Sequence, residues 1–253
     1  MTKEMPTLAE YKMEDPDNNQ VNAPEKTEGV EENITEEVDE LAVDVPDIPL
    51  PSEVVDEVVD DEFEGAYKFA IVGVGQGGSR LAETFWKLGY RRVAVINTAA
   101  QDLKPISLPE KNKLLIGGDG AGKDRKKALA LFEEHREDVL DFLKSTFRTG
   151  IDRILVCIGA GGGTGAGGGP VVVDICHDLC QSLSVEQSQQ DAKVGAVLAL
   201  PTKSEGSRVK SNAKETAETL IKYSTNGTLS PLNILDNERI KHLFPKISVN
   251  KFW

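Results

Sequence analysis

The 253-residue sequence predicts an α/β fold of three layers around a mostly parallel sheet. Two observations carry that expectation. The apolar runs KFAIV, RVAVI, ILVCI and VGAVLALP are of strand length and are uninterrupted by acidic or polar alternation, as strands buried on both faces are. Helical patterns separate them, and their ends near Gly73, Asn97, Gly159 and Pro201, with that of a further strand-like run, KLLI, near Gly117, are marked by glycine or turn residues. That arrangement gathers five turns at the carboxyl edge of one sheet, where α/β folds bind their ligands.

Charge divides the chain in two. The whole carries −13, yet residues 1–65 hold 22 acids against 3 Lys, a net of −19, and residues 66–253 carry +6. The first segment has one Tyr, one Phe and no sustained periodicity, so it buries too little apolar surface to offset its chain entropy and is expected to be a disordered acidic tail. Pieces such as Glu53 to Phe63 could fold on a protein partner, although a merely solvating tail fits the composition better. Residues 66–253 suit one domain. With no apolar run of membrane-spanning length and no signal-peptide core, the protein is expected to be cytoplasmic and to meet no membrane. Its three cysteines argue against a disulfide framework, and Cys176, His177 and Cys180 on one helical stretch read as core residues rather than metal ligands.

The first unit of the domain is a strand, Lys68 to Val72, a glycine turn, Gly73 to Arg80, and a helix bearing Leu81, Phe85, Trp86 and Leu88 that stops at Gly89. Gly73, Gly75 and Gly78 satisfy GxGxxG, so a dinucleotide-binding oxidoreductase competes. The next strand, however, ends in Asn97, where that class needs Asp or Glu for the ribose hydroxyls. Further on, Gly117 and Gly122-Lys123 fit the spacing of a phosphate loop, but Asp124 stands where Ser or Thr must hold Mg²⁺. One helix is expected to follow, with Leu131, His135, Val139 and Phe142 in its stripe and His135 at the edge of the core.

The central stretch, Ile151 to Pro170, runs from an apolar strand into GAGGGTGAGGG, with Pro170 expected in the first turn of the next helix. Backbone without side chains at a helix N-terminus admits a large anion: successive N–H groups form a nest, the helix end adds partial positive charge, and Thr164 offers a hydroxyl to phosphate. A flexible linker would not be flanked by a buried strand and a helix. After a polar connection, Ser184 to Lys193, come the strand Val194 to Pro201, a helix with Val209, Ala213, Ala217 and Leu220 on one stripe, and a last strand within Pro231 to Ile240.

GGGTGAG, Gly161 to Gly167, resembles the GGGTGTG or GGGTGSG signature of the tubulin/FtsZ superfamily, in which this loop holds the phosphates of GTP. The other turns are similar to that family's loops as well. GVGQGGSR resembles its first glycine loop, which implies phosphate contacts from Gln76, Gly77, Gly78 and Ser79, with Arg80 where the family carries an Asn for guanine. INTAAQDL resembles the second loop through Asn97, Thr98 and Gln101. GAGKD resembles the third, implying Gly120, Ala121, Gly122 and Lys123 at the γ-phosphate, with Lys123 in place of Gly. The resemblance adds Gly161, Gly162, Gly163, Thr164 and Gly165 for phosphate, Glu205 for ribose and Asn237 for the guanine edge; the family's Arg position falls on Val209, beside Arg208 and Lys210.

What the resemblance implies is a tubulin/FtsZ-like nucleotide-binding domain that takes GTP or GDP, with Mg²⁺ as a candidate companion ion. It also implies a cytoskeletal protein that forms a homo-polymer and hydrolyses GTP when complete. In the family a long helix and a second domain follow, the latter bringing an acidic loop to the neighbouring subunit's site. Neither is visible in Lys241 to Trp253, so no catalytic residue is assigned and hydrolysis by this chain alone is not expected. No direct nucleic-acid binding is expected. The competing functions are a nicotinamide oxidoreductase and a non-catalytic interaction protein.

Overall fold

The computed structural model describes residues 68–147, 151–183 and 193–246; the acidic tail expected at residues 1–65 and nearly all of the connection at Ser184 to Lys193 lie outside them. Six strands form one sheet: β1 (Phe69–Val74), β2 (Val93–Ala99), β3 (Lys113–Gly118), β4 (Arg153–Gly159), β5 (Val194–Leu200) and β6 (Leu232–Asp236). Their order is β3-β2-β1-β4-β5-β6 and every neighbouring pair is parallel. The four inner strands are the ones that carry the long apolar runs, and nearly every residue of β1 and β2 is buried.

Period-two alternation splits the buried residues between two faces. Ala70, Val72 and Val74 of β1, Ala94 and Ile96 of β2 and Val156 and Ile158 of β4 join one core with Phe132, Leu143, Val172, Leu179 and Leu220. The helices of that layer are α3 (Arg125–Glu134), α4 (Arg136–Phe147), α5 (Gly163–Leu183) and α6 (Ser207–Thr225). Ile71, Val93, Val95 and Cys157 face the other way, against Ala82, Phe85 and Trp86 of α1 (Gly75–Lys87) and Leu103 of the short α2 (Ala100–Leu103). A final helix, α7, spans Asn237–Leu243.

The chain reverses direction across the sheet between β1 and β4. From β1 it steps to β2 and β3 on one side; from β4 it steps to β5 and β6 on the other. The carboxyl ends of β1 and β4 therefore open into a crevice between diverging connections, and α1 and α5 start there.

Two helices differ from their expected form. The single helix expected around His135 is two, α3 and α4, because the backbone at His135 leaves the helical region (φ −100, ψ 24) while its Nδ1 sits 2.7 Å from Asp138 Oδ2. Pro170, expected in a first turn, lies well inside α5, which begins at Gly163. The glycine stretch is thus largely helix, and packing explains why low propensity does not unwind it. A Cβ on Gly167 would come within 2.2 Å of the Arg125 carbonyl, one on Gly168 within 2.3 Å of the Phe132 ring and one on Gly169 within 2.8 Å of Ile158. These glycines let α5 press against α3 and β4 at backbone distance. Pro170 removes the N–H that would bond the Ala166 carbonyl, and Thr216 Oγ1 of α6 lies 3.3 Å from that oxygen, within donating reach.

Candidate functional site

At the crevice, α1 starts one residue after β1, so the expected turn Gly73 to Arg80 is mostly helix. No side chain caps its N-terminus, and neither α1 nor α5 has an acidic residue in its first turn. By contrast α3 and α7 are capped by carboxylates: Asp124 accepts from the amides of Lys126 and Lys127, and Asp236 from those of Glu238 and Arg239. The first amides of α1 and α5 have no intrahelical acceptor and remain available to another anion.

The two helix starts meet. A Cβ on Gly75, whose φ is +71, would lie 2.7 Å from Gly165 N and 3.2 Å from Thr164 Cβ. Gly165 is equally confined, since its Cβ would lie 2.4 Å from Gly159 O. Gly162 is different: nothing lies within 4 Å of the position its Cβ would take. Above this floor is a cavity of about 410 Å³, within the size range of small-molecule sites.

Of the residues expected to bind nucleotide, Gln76, Gly77, Gly120 to Lys123, Gly161 to Gly165, Glu205 and Asn237 line this cavity. Four others, Gly78, Ser79, Arg80 and Asn97, do not. A Cβ on Gly78 would come within 2.2 Å of the Cys157 carbonyl, so its bareness serves the seating of α1 on β4. Ser79 is fully buried, and Arg80 lies further along α1, half-buried. Asn97 is also fully buried and turns its Oδ1 back to the amides of Thr98 and Ala99, at 2.8 and 3.3 Å. Ser79 Oγ and Asn97 Nδ2 have no hydrogen-bond partner among the described residues. Thr164 Oγ1 sits 2.7 Å from Thr98 Oγ1, which fixes the hydroxyl at the start of α5.

The outer walls are held by side chains at long sequence range. Asn212 of α6, which sequence reasoning passed over, donates Nδ2 toward the carbonyls of Lys123 at 3.1 Å and Gly161 at 3.3 Å, joining two glycine segments. Lys127 Nζ donates to the Gly120 carbonyl at 2.9 Å. Asp124, the residue that breaks the phosphate-loop pattern, is turned into the cap of α3 and faces Arg208 at 3.2 Å, so neither is directed at a ligand. The two capping amide bonds are the main reason its carboxyl is held below the usual range. Glu205 accepts from Thr202 N at 2.8 Å on the opposite rim.

His177 Nε2 lies 2.6 Å from the Thr228 carbonyl. Burial pushes the thiols of Cys157 and Cys180 up to about 12 and about 11 and that of Cys176 well above the ordinary value, so all three are protonated at neutral pH. Among the described residues no group of three His, Cys, Asp or Glu could hold a metal, and no helix is long and apolar enough to cross a membrane.

A sequence model of the Tubulin/FtsZ family, GTPase domain, matches residues 68–244. The chain is 28% identical over 224 residues to a protein named cell division protein FtsZ 1 from Pyrococcus furiosus, covering 86% of this chain and 55% of the relative. Among solved structures, GDP-bound monomeric CetZ1 from Haloferax volcanii matches with a TM-score of 0.60 at 26% identity, over 73% of this chain and 55% of that one. A GTPγS-bound protofilament of CetZ2 from the same organism matches with a TM-score of 0.57 at 25% identity, over 73% and 53%. The chain spans about half the length of these relatives.

Proposed function

Because the chain belongs to the Tubulin/FtsZ family through its GTPase domain, we propose that the cavity at the sheet edge binds GTP and GDP, and that this binding controls self-association of the protein in which the domain works. One observation carries the reading. Two helices with no acidic residue in their first turns, α1 also without a side-chain cap, begin side by side at the chain reversal of the sheet, over glycines that leave the approach open, and their first amides suit the phosphates of a nucleotide.

In this reading the first turn of α5, Gly163 to Gly165, donates backbone N–H groups to the phosphates, and the Thr164 hydroxyl, braced by Thr98, adds a side-chain donor. Gln76 and Gly77 close the cavity from α1, and Gly120 to Lys123 from the β3 side. Glu205 and Asn237 lie on the β5 and β6 side, where the sugar and base extend. A companion Mg²⁺ would take most of its oxygens from phosphate and water, as that ion does elsewhere.

The CetZ2 structure is a protofilament with GTPγS, so nucleotide-dependent assembly follows as the matching proposal here. Titration calorimetry with GTP, GDP and NAD⁺ tests the binding: uptake of both guanine nucleotides with NAD⁺ ignored supports it, and NAD⁺ uptake or none at all refutes it. Light scattering on adding GTP tests assembly. A nicotinamide site is disfavoured at Asn97, whose oxygen is spent on its own backbone.

A further inference from the structure

Among the described residues Lys123 is the one basic residue lining the cavity, and it stands in a backbone conformation that favours glycine, with φ +60. It is the only non-glycine described residue with positive φ. Gly122 before it has φ +56, and Asp124 N donates to the Ala121 carbonyl at 2.8 Å, so the two form the corner of a tight turn with both central residues left-handed. Strain at a binding surface persists where the side chain has a use that offsets it. The surroundings hold it there: Asn212 grips the Lys123 carbonyl at 3.1 Å, and the turn rests on α5, since a Cβ on Gly163 would lie 3.0 Å from Lys123 Cα.

Three nearby cations are committed. Lys127 Nζ bonds the Gly120 carbonyl, Arg125 faces Glu215 at 3.6 Å and Arg208 faces Asp124 at 3.2 Å. Lys123 has no carboxylate within ion-pair distance among the described residues. Against it the cavity is lined by Asp102, Asp119 and Glu205. A polyphosphate entering a cavity of that charge needs a positive group, and here it stands over the start of α5, where the phosphates are proposed to lie.

On the reading that the cavity takes a guanine nucleotide, we propose that Lys123 neutralises the terminal phosphate of the triphosphate, making this protein's preference for GTP over GDP partly independent of a divalent cation. An ammonium on this turn brings to the phosphates positive charge of the kind a divalent cation would supply.

The test uses the full chain and four proteins: the natural one, Lys123→Gln, Lys123→Gly and Lys123→Arg. Binding of GTP and GDP is measured with Mg²⁺ and with chelator, and thermal unfolding without nucleotide. GTP affinity in chelator should fall about 10-fold or more in Lys123→Gln and Lys123→Gly, GDP affinity by less than about 3-fold, and Lys123→Arg should restore most of the loss. The Tm of Lys123→Gly should equal or exceed that of the natural protein, since glycine relieves the turn, so its loss of binding does not come from unfolding. If the natural protein binds both nucleotides and the Gln and Gly variants bind GTP in chelator as well as it does, the role of Lys123 is overturned while the cavity reading stands. If the natural protein binds neither nucleotide, the cavity reading falls and this proposal with it.

Discussion

At the scale of single residues, space and hydroxyl placement make the sharpest predictions. Thr164→Val removes a donor fixed by Thr98 at 2.7 Å, so affinity for guanine nucleotide should drop by about 1.5–3 kcal/mol in a calorimetric titration, with little change in circular dichroism. Glycines should divide by what surrounds them. Gly162→Ala adds a methyl where nothing lies within 4 Å, so the fold should keep its stability while nucleotide binding weakens. Gly167→Ala instead drives a methyl to 2.2 Å from the Arg125 carbonyl, a backbone atom that cannot swing away, and should cost about 1–3 kcal/mol in urea unfolding. Thr164 was readable from the sequence because a lone hydroxyl in bare glycine is conspicuous. The distinct uses of the glycines were not, since they depend on what the fold packs against each one, for Gly167 and Gly168 residues of α3 dozens of positions away.

At the scale of elements, α5 shows where sequence reasoning stops. The strand before it was plain from its apolar run, but a stretch such as GTGAGGGP, with five glycines and a proline, has poor helix propensity. Its helical state comes from burial between α3 and β4, which no window of the sequence contains. The join to α6 is of the same kind. Thr216 is fully buried, 3.3 Å from the carbonyl that Pro170 leaves without its helical donor and 2.7 Å from Asn212 O. Thr216→Val keeps the shape and deletes the donor, and should lower unfolding free energy by about 1–2 kcal/mol in chemical denaturation. Asn212 was missed for a plain reason: an Asn among Ser, Ala and Lys on an amphipathic helix looks like any polar position. Its contacts reach 89 and 51 residues back along the chain, to Lys123 and Gly161.

At the scale of the whole molecule, the strand sequence and the edge where the turns gather were legible because parallel strands need unbroken apolar runs and their loops must be bare to admit a ligand. One network away from that edge ties the helical layer together. Asp174 of α5 accepts from the Tyr223 hydroxyl of α6 at 3.0 Å, with Arg136, Glu133 and Asp178 nearby, and Arg136 bonds Asp178 at 2.7 Å. Desolvation raises the Asp174 carboxyl above its ordinary range, although the Tyr223 bond and Arg136 oppose it. A raised folded-state value means the native protein binds that proton more tightly than the unfolded chain. Its stabilising contribution is complete below the ordinary carboxylate value and disappears as pH rises through the raised one. Asp174→Asn should remove that fall, which urea midpoints of both proteins between about pH 4 and 7 would reveal as a difference curve.

The contact between Gly75 and Gly165 has a mechanical corollary. With a glycine of each helix wedged against the other's backbone, α1 and α5 cannot slide or tilt independently, so the phosphate end of the crevice behaves as an anvil. Whatever accommodation a guest demands falls to the side walls, the Gly120 to Lys123 turn and the Thr202 to Gly206 segment, each moored by only a few polar links.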